Sequence, residues 1–117
     1  MSQDSIAQLT QALRQFADAR DWQRFHAPKN LASALIVEAG ELLEHFQWMS
    51  EAQSRELDAA HKQQVAHEMA DVLLYLVQLS SALEIDLLQA AREKMAINEQ
   101  RFPPSQAGRS ASTADQP

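Results

Sequence analysis

Two acidic pairs with i, i+3 spacing stand in the most apolar parts of this 117-residue sequence. They are Glu38 and Glu41, within residues 31–46, and Glu68 and Asp71, within residues 65–79. The spacing places both carboxylates of a pair on one side of a helix. Neither apolar run contains a lysine or an arginine, and carboxylates are almost never buried unless they are paired, protonated or bound to a metal. The positive charge that these four acids need is therefore expected from a bound ion.

We expect two facing helices to bring the four carboxylates together around a divalent cation, either Mg²⁺ or Mn²⁺. Carboxylate oxygens are hard ligands that suit both ions. The alternative is that one or both pairs lie on solvated helix faces, which is the usual position of a single acidic pair. Other metal centres fit poorly, since no glutamate has a histidine three residues later, as ferritin-like di-iron bundles require, and no HExxH motif is present.

The composition predicts an all-α fold. The chain has only two glycines, and three of its four prolines lie at or beyond residue 103, so long segments lack a helix breaker. Periodicity and capping signals predict helices over residues 5–19, 28–48, 51–60, 61–83 and 87–101. We expect these helices to form a four-to-five-helix bundle over residues 1–104, followed by a disordered polar tail over residues 105–117.

The central helices predict a homo-oligomer. Residues 31–37 and 72–77 are apolar nearly all round, and a helix of that kind must be covered on every side. A bundle this small cannot cover two such helices, so further copies of the chain are expected to do so, in a homodimer or homotetramer. Gly40 costs about 1 kcal/mol relative to alanine in mid-helix, which favours the close approach of another helix or a ligand at that point.

Charge and composition exclude several classes of protein. A formal net charge of −6 argues against a nucleic acid polymer as partner, because phosphate tracking needs a basic stripe. No stretch reaches the ~18 apolar residues of a membrane span, and the first residues are too polar for a signal peptide. No membrane association and a cytoplasmic location are therefore expected. The absence of cysteine excludes disulfides and thiol catalysis.

Three polar side chains could contact phosphate groups. Lys94 and Asn98 are one helical turn apart and so share a helix face, and lysine is an ordinary phosphate partner. Tyr75 lies one turn after Asp71, where its hydroxyl could reach a phosphate near a metal ion. The alternatives are a solvated face for Lys94 and Asn98, and a buried tyrosine bonded to the backbone.

Aromatic groups could hold a base. On a continuous helix Trp48 lies about 10 Å beyond Glu41, which is near the span from a nucleotide's reacting phosphate to its base. Trp22 and His26, in the connector that follows the first predicted helix, could supply a second wall for stacking. Core packing under a loop is the alternative for these aromatic side chains.

Four segments together resemble a known family. They are DWxxFHxPxNL at residues 21–31, LxxExGELxExFQW at residues 35–48, EMADVLLYLV at residues 68–77 and KMxxNxxRFP at residues 94–103. In this order they are similar to the MazG-like all-α nucleoside triphosphate pyrophosphohydrolases, and most of all to the dCTP pyrophosphatase branch. The likeness extends over residues 5–104 and is far more specific than either acidic pair.

The resemblance implies a function and a set of site residues. It implies Mg²⁺ on Glu38, Glu41, Glu68 and Asp71, triphosphate contacts from Tyr75, Lys94 and Asn98, and a base pocket that includes Trp22, His26 and Trp48. The implied reaction converts a deoxynucleoside triphosphate, with dCTP or modified dCTP expected, to the monophosphate and pyrophosphate in nucleotide-pool sanitation. Water attacks the α-phosphorus, with Glu38 and Glu41 as the catalytic carboxylates and Glu38 orienting or deprotonating the water. The alternatives are a non-catalytic helical dimer with a regulatory role and a phosphohydrolase that releases phosphate.

Overall fold

A computed structural model describes residues 5–105, which form two compact units that divide between Ile85 and Asp86. The helices are α1 (Ile6–Ala19), α2 (Pro28–Glu44), α3 (Glu51–Arg55), α4 (Ala59–Ala82) and α5 (Leu87–Arg101), with a 3₁₀ turn at Gln23–Phe25. All regular structure within residues 5–105 is helical, so the predicted all-α fold is confirmed. Apart from its first residue, the predicted tail lies outside the described residues. No described helix has the length and apolar character that a membrane crossing requires.

Side chains fix where most helices begin. Ser5, Asp58 and Asp86 each accept a hydrogen bond from the backbone N–H three residues later, which satisfies one of the free donors of the first turn. Ser50 and Gln53 form a reciprocal capping box at the start of α3. The caps predicted at Ser50 and Asp86 are therefore confirmed.

Two predicted helix ends are wrong. α2 ends at Glu44 rather than Trp48, and residues 45–49 form successive turns, with Phe46 N–H donating to the Leu43 carbonyl at 2.9 Å. The physical reason is the cap that follows, because an N-cap at Ser50 needs extended backbone and the preceding helix must stop before it. The short helix likewise ends at Arg55 rather than Ala60, since Asp58 caps α4 and starts it at Ala59.

The core of the first unit lies where α4 packs against α2 and, less extensively, against α1. Its fully buried side chains are small in number and include Leu31 on α2 and Val77 on α4. Large apolar side chains on the same two helices stay exposed, among them Ile36, at 70% exposure, and Met69, at 56%. The predicted homo-oligomer would cover them and stays a prediction.

Both α1 and α4 end in the same type of C-terminal turn. Asp21 follows α1 with a φ of 55°, and Glu84 follows α4 with a φ of 54°. In each case the next residue bonds back into the last turn, as when Trp22 N–H donates to the Ala17 carbonyl at 2.9 Å. This is the Schellman arrangement, which favours glycine at the left-handed position. The turn at Asp21 reverses the chain and brings Trp22 back against the end of α1.

Candidate metal and nucleotide site

Three of the four predicted carboxylates converge between α2 and α4. One oxygen from each of Glu38, Glu41 and Glu68 lies within 4.8 Å of the other two. Glu38 is two turns beyond the buried Leu31, and Glu68 is one turn beyond the buried Val65, so each acid continues the packed side of its helix. Glu38 and Glu68 are partly buried and Glu41 is exposed. Packing of the two helices thus forces like charges together.

The electrostatics of this cluster favour a bound cation. A side-chain hydrogen bond with Glu41, partial burial and the nearby acidic charges raise the pKa of Glu38 from 4.5 to about 7. Burial and the charges of Glu41 and Asp71 also raise the pKa of Glu68. In addition, the Oε2 atom of Glu68 is buried and has no hydrogen-bond partner within the described part of the chain. An unsatisfied buried carboxylate oxygen is costly unless a proton or a metal ion meets it.

The spacing of the oxygens suits a small hard cation. In octahedral coordination at 2.0–2.1 Å, adjacent oxygens lie about 2.9 Å apart and opposite oxygens about 4.2 Å apart. The three glutamate oxygens, within 4.8 Å of one another, reach that geometry with small side-chain movements. An all-oxygen donor set with open positions is what Mg²⁺ and Mn²⁺ accept, because Mg²⁺ usually keeps waters and substrate phosphates as ligands. The residues present therefore fit a divalent cation.

Asp71 lies beside this cluster and outside its three converging oxygens. Its side chain is exposed, and its charge raises the pKa of both Glu38 and Glu68. Asp71 also lines a cavity of about 440 Å³ between α1, the connector and α4. The aspartate thus connects the acidic cluster with this cavity.

The cavity contains three of the predicted substrate contacts. Trp22, His26 and Tyr75 line it together with apolar residues of α1. The Trp22 ring packs edge-on against Phe16, with a centroid separation of 5.6 Å and an interplanar angle of 67°. Ligand sites are commonly apolar clefts of roughly 300–1,000 Å³ with a few polar groups. The cavity has the size and the lining of a site for a nucleoside.

The other predicted contacts lie elsewhere in the described chain. Trp48 is 89% exposed in the turns after α2 and does not line the cavity. The reason is the early end of α2, which removes the continuous helix from which its position relative to Glu41 was estimated. Lys94 and Asn98 are one turn apart on α5, in the second unit. Gly40 has no heavy atom within 4 Å of an added Cβ, so the expected close approach does not come from within the described chain.

Known proteins similar to this chain support one family. The MazG-like family profile matches residues 34–115. The chain belongs to the MazG-like family. It is 45% identical to rat dCTP pyrophosphatase 1 and 42% identical to the human protein of that name, in each case over 91 residues that make up 76% of this chain and 54% of the relative. The chain spans about half the length of the curated relatives it matches.

A solved structure agrees with the MazG-like assignment. The crystal structure of a pyrophosphatase from Archaeoglobus fulgidus superimposes on this MazG-like chain with a TM-score of 0.80 and is 41% identical to it in sequence. The match covers 85% of this chain and 93% of the archaeal chain. The resemblance to MazG-like proteins found in the sequence is thereby confirmed.

Sequence reasoning on this MazG-like chain missed a polar group at the far end of the cavity. Gln78 lines both the nucleoside-sized cavity and a smaller one of about 70 Å³, to which Arg14 and Ser81 contribute. Arg14 Nε donates to Ser81 Oγ at 3.0 Å. The available signal was a glutamine in the apolar stretch 72–79, two turns after Asp71 and one turn after Tyr75.

Proposed function

We propose that this chain is a Mg²⁺-dependent pyrophosphohydrolase that converts a deoxynucleoside triphosphate to the monophosphate and pyrophosphate. We propose dCTP, or a dCTP with a modified base, as the substrate and removal of unwanted nucleotides as the role. The observation that supports this most directly is the joining of a three-carboxylate cluster to a nucleoside-sized cavity through Asp71. The names of the dCTP pyrophosphatase relatives favour the same substrate class.

The proposal gives each acidic residue a role. Glu38, Glu41, Glu68 and Asp71 would hold the cation, which when bound neutralises phosphate charge and stabilises the leaving pyrophosphate. Glu38 would also hold the attacking water and accept its proton as the general base. Glu41 would be the second catalytic carboxylate and would act through the cation that it helps to hold.

The cavity would hold the nucleoside with its phosphates towards Asp71. Trp22 and His26 would contact the base, and Tyr75, between Asp71 and the far end, would donate its hydroxyl to a phosphate. Lys94 and Asn98 are proposed as further triphosphate contacts, since an ammonium group and a carboxamide suit phosphate oxygens.

A homodimer or homotetramer forms part of the proposal. The exposed apolar side chains of α2 and α4, such as Ile36 and Met69, exceed what a monomer needs to expose and would be covered by a second copy. The open space at Gly40 leaves room for that copy or for substrate. With Trp48 outside the cavity of its own protomer, a base contact from Trp48 would require the neighbouring protomer.

The experiment that tests the function is incubation of the full chain with each dNTP and Mg²⁺, with pyrophosphate and phosphate resolved and quantified. Release of pyrophosphate, lost on chelation and in Glu41→Gln, is the expected result. Glu44→Gln is the matched control, since Glu44 is an exposed glutamate on the same helix outside the converging cluster. Release of phosphate instead would indicate a phosphohydrolase of different regiochemistry. No release of either product would favour a non-catalytic regulatory dimer.

A further inference from the structure

Gln78 presents an unused hydrogen-bond acceptor at the end of the cavity away from the carboxylates. Its Oε1 atom is buried and has no hydrogen-bond partner among residues 5–105. In the smaller cavity, the Nε atom of Arg14 donates to Ser81 Oγ and not to Gln78. A buried acceptor without a donor costs free energy that an incoming donor would recover. The packing of the described residues therefore does not explain why a carboxamide oxygen is buried at this position.

The register of α4 places this acceptor at the right distance from the acidic cluster. Asp71, Tyr75 and Gln78 follow i, i+4, i+7 spacing, so they share one side of α4, and all three line the same cavity. Seven residues of helix correspond to about 10 Å. That length is similar to the distance between the phosphate attached to a nucleoside and the far edge of its base.

The chemistry of a carboxamide suits the edge of an amino base. Its oxygen accepts from N–H groups, and rotation about its last side-chain torsion is little restricted, so a small turn of the group brings Oε1 to the cavity. Trp22 and the apolar residues of α1 contact the faces of a base but cannot tell one edge from another. Gln78 adds to this lining a carboxamide, which can distinguish the edges of a base.

On the basis of the proposed function, we infer that Gln78 is a specificity-determining residue whose Oε1 accepts a hydrogen bond from the exocyclic amino group of the substrate base. The preferred substrate class is then the nucleotides of 4-aminopyrimidines. A site built to bond an amino group rejects a base without it, because the acceptor would stay unpaired.

The test is a cycle of two enzymes and two substrates. Wild-type protein and Gln78→Met, which keeps the length of the side chain and removes its acceptor, are each given dCTP and the analogue in which hydrogen replaces the 4-amino group. We expect kcat/KM of the wild type to fall about 10-fold on loss of the amino group, and that of Gln78→Met to change little. Gln78→Glu, which keeps an acceptor, should retain the discrimination. Gln15→Leu is the control, since Gln15 is exposed on α1 and lines neither cavity.

Binding of the two corresponding monophosphates, measured by calorimetry, repeats the cycle without turnover. The binding measurement tests the role of Gln78 even if the wild type releases no pyrophosphate. Absence of pyrophosphate release would refute the proposed function but not the role of Gln78. Equal discrimination by wild type and Gln78→Met, or none by the wild type, would overturn the role of Gln78 and leave pyrophosphate release intact. Melting curves of each variant show whether it is folded.

Discussion

The proposal that Glu38 is a metal ligand predicts that metal affinity depends on pH, because the pKa of Glu38 is raised. Glu38 carries a proton below its pKa of about 7, and it must lose that proton to become a ligand. The perturbation to apply is therefore pH, between about pH 6 and pH 8, with Mg²⁺ as the titrant. Lower pH should weaken binding, because protons and Mg²⁺ compete for the same oxygen.

The size of the effect follows from the pKa. With one competing proton and a pKa of about 7, the apparent Kd for Mg²⁺ is multiplied by one plus ten to the power of the difference between pKa and pH. The factor is about 11 at pH 6 and about 1.1 at pH 8, so binding should be roughly tenfold weaker at the lower pH. The number of protons released per bound ion should fall from about 0.9 to about 0.1 over the same range.

Calorimetry in buffers of different ionisation enthalpy measures both quantities. Glu38→Gln loses the anionic ligand, so its Mg²⁺ affinity should be lower, and it also lacks the competing proton, so the pH dependence of that affinity should be shallower. Glu44→Gln, on the same helix and outside the cluster, should retain the behaviour of the wild type. Affinity that is equal at both pH values, with no proton released at pH 6, would refute the view that Glu38 is a protonated ligand.

Three further outcomes are expected. Without metal, the free energy of unfolding should decrease as pH rises from about 4.5 to about 7, because the folded chain holds a proton on Glu38 that the unfolded chain has lost. Melting temperatures measured across this range, with and without Mg²⁺, check this. A melting temperature that rises with pH in the absence of metal would contradict it. Gly40→Ala should raise the free energy of unfolding in urea by about 1 kcal/mol if the space serves the substrate, since an added Cβ meets no described atom within 4 Å; a decrease would show that the second copy occupies the space. Glu84→Gly should raise stability by about 1 kcal/mol by relieving the left-handed backbone, with Glu93→Gly, in mid-helix, as the destabilised control.

Much of the fold could be predicted from the sequence because it depends on local signals. Caps such as Ser50 and Asp86 act over three residues, and the i, i+3 spacing of Glu38 and Glu41 fixes their common side of α2. The end of α2 could not be placed, since it depends on competition with the following cap. The spacing of apolar residues in α2 does not by itself indicate the residue at which this helix ends.

The details of the site depended on how the helices are rotated against one another. Spacing showed that Glu68 and Asp71 share a side of α4, but the packing directs Glu68 to the cluster and Asp71 to the cavity. The role suggested for Gln78 needs α1 as the opposite wall, and nothing local in the sequence pairs these two helices. Contacts between elements distant in the chain are what periodicity alone leaves open.

The turn at Asp21 also couples substrate affinity to local unfolding. Trp22 is attached to the last turn of α1 by its bond to the Ala17 carbonyl, so opening of that turn removes one wall of the cavity. Under the proposed function, only chains with this turn closed would bind substrate, and the apparent affinity would be reduced by the fraction of chains in which it is open. Amide hydrogen exchange at Asp21 and Trp22 would report that fraction, and a bound nucleotide would slow it. The opening equilibrium of the last turn of α1 would thus set the fraction of protein that can bind substrate.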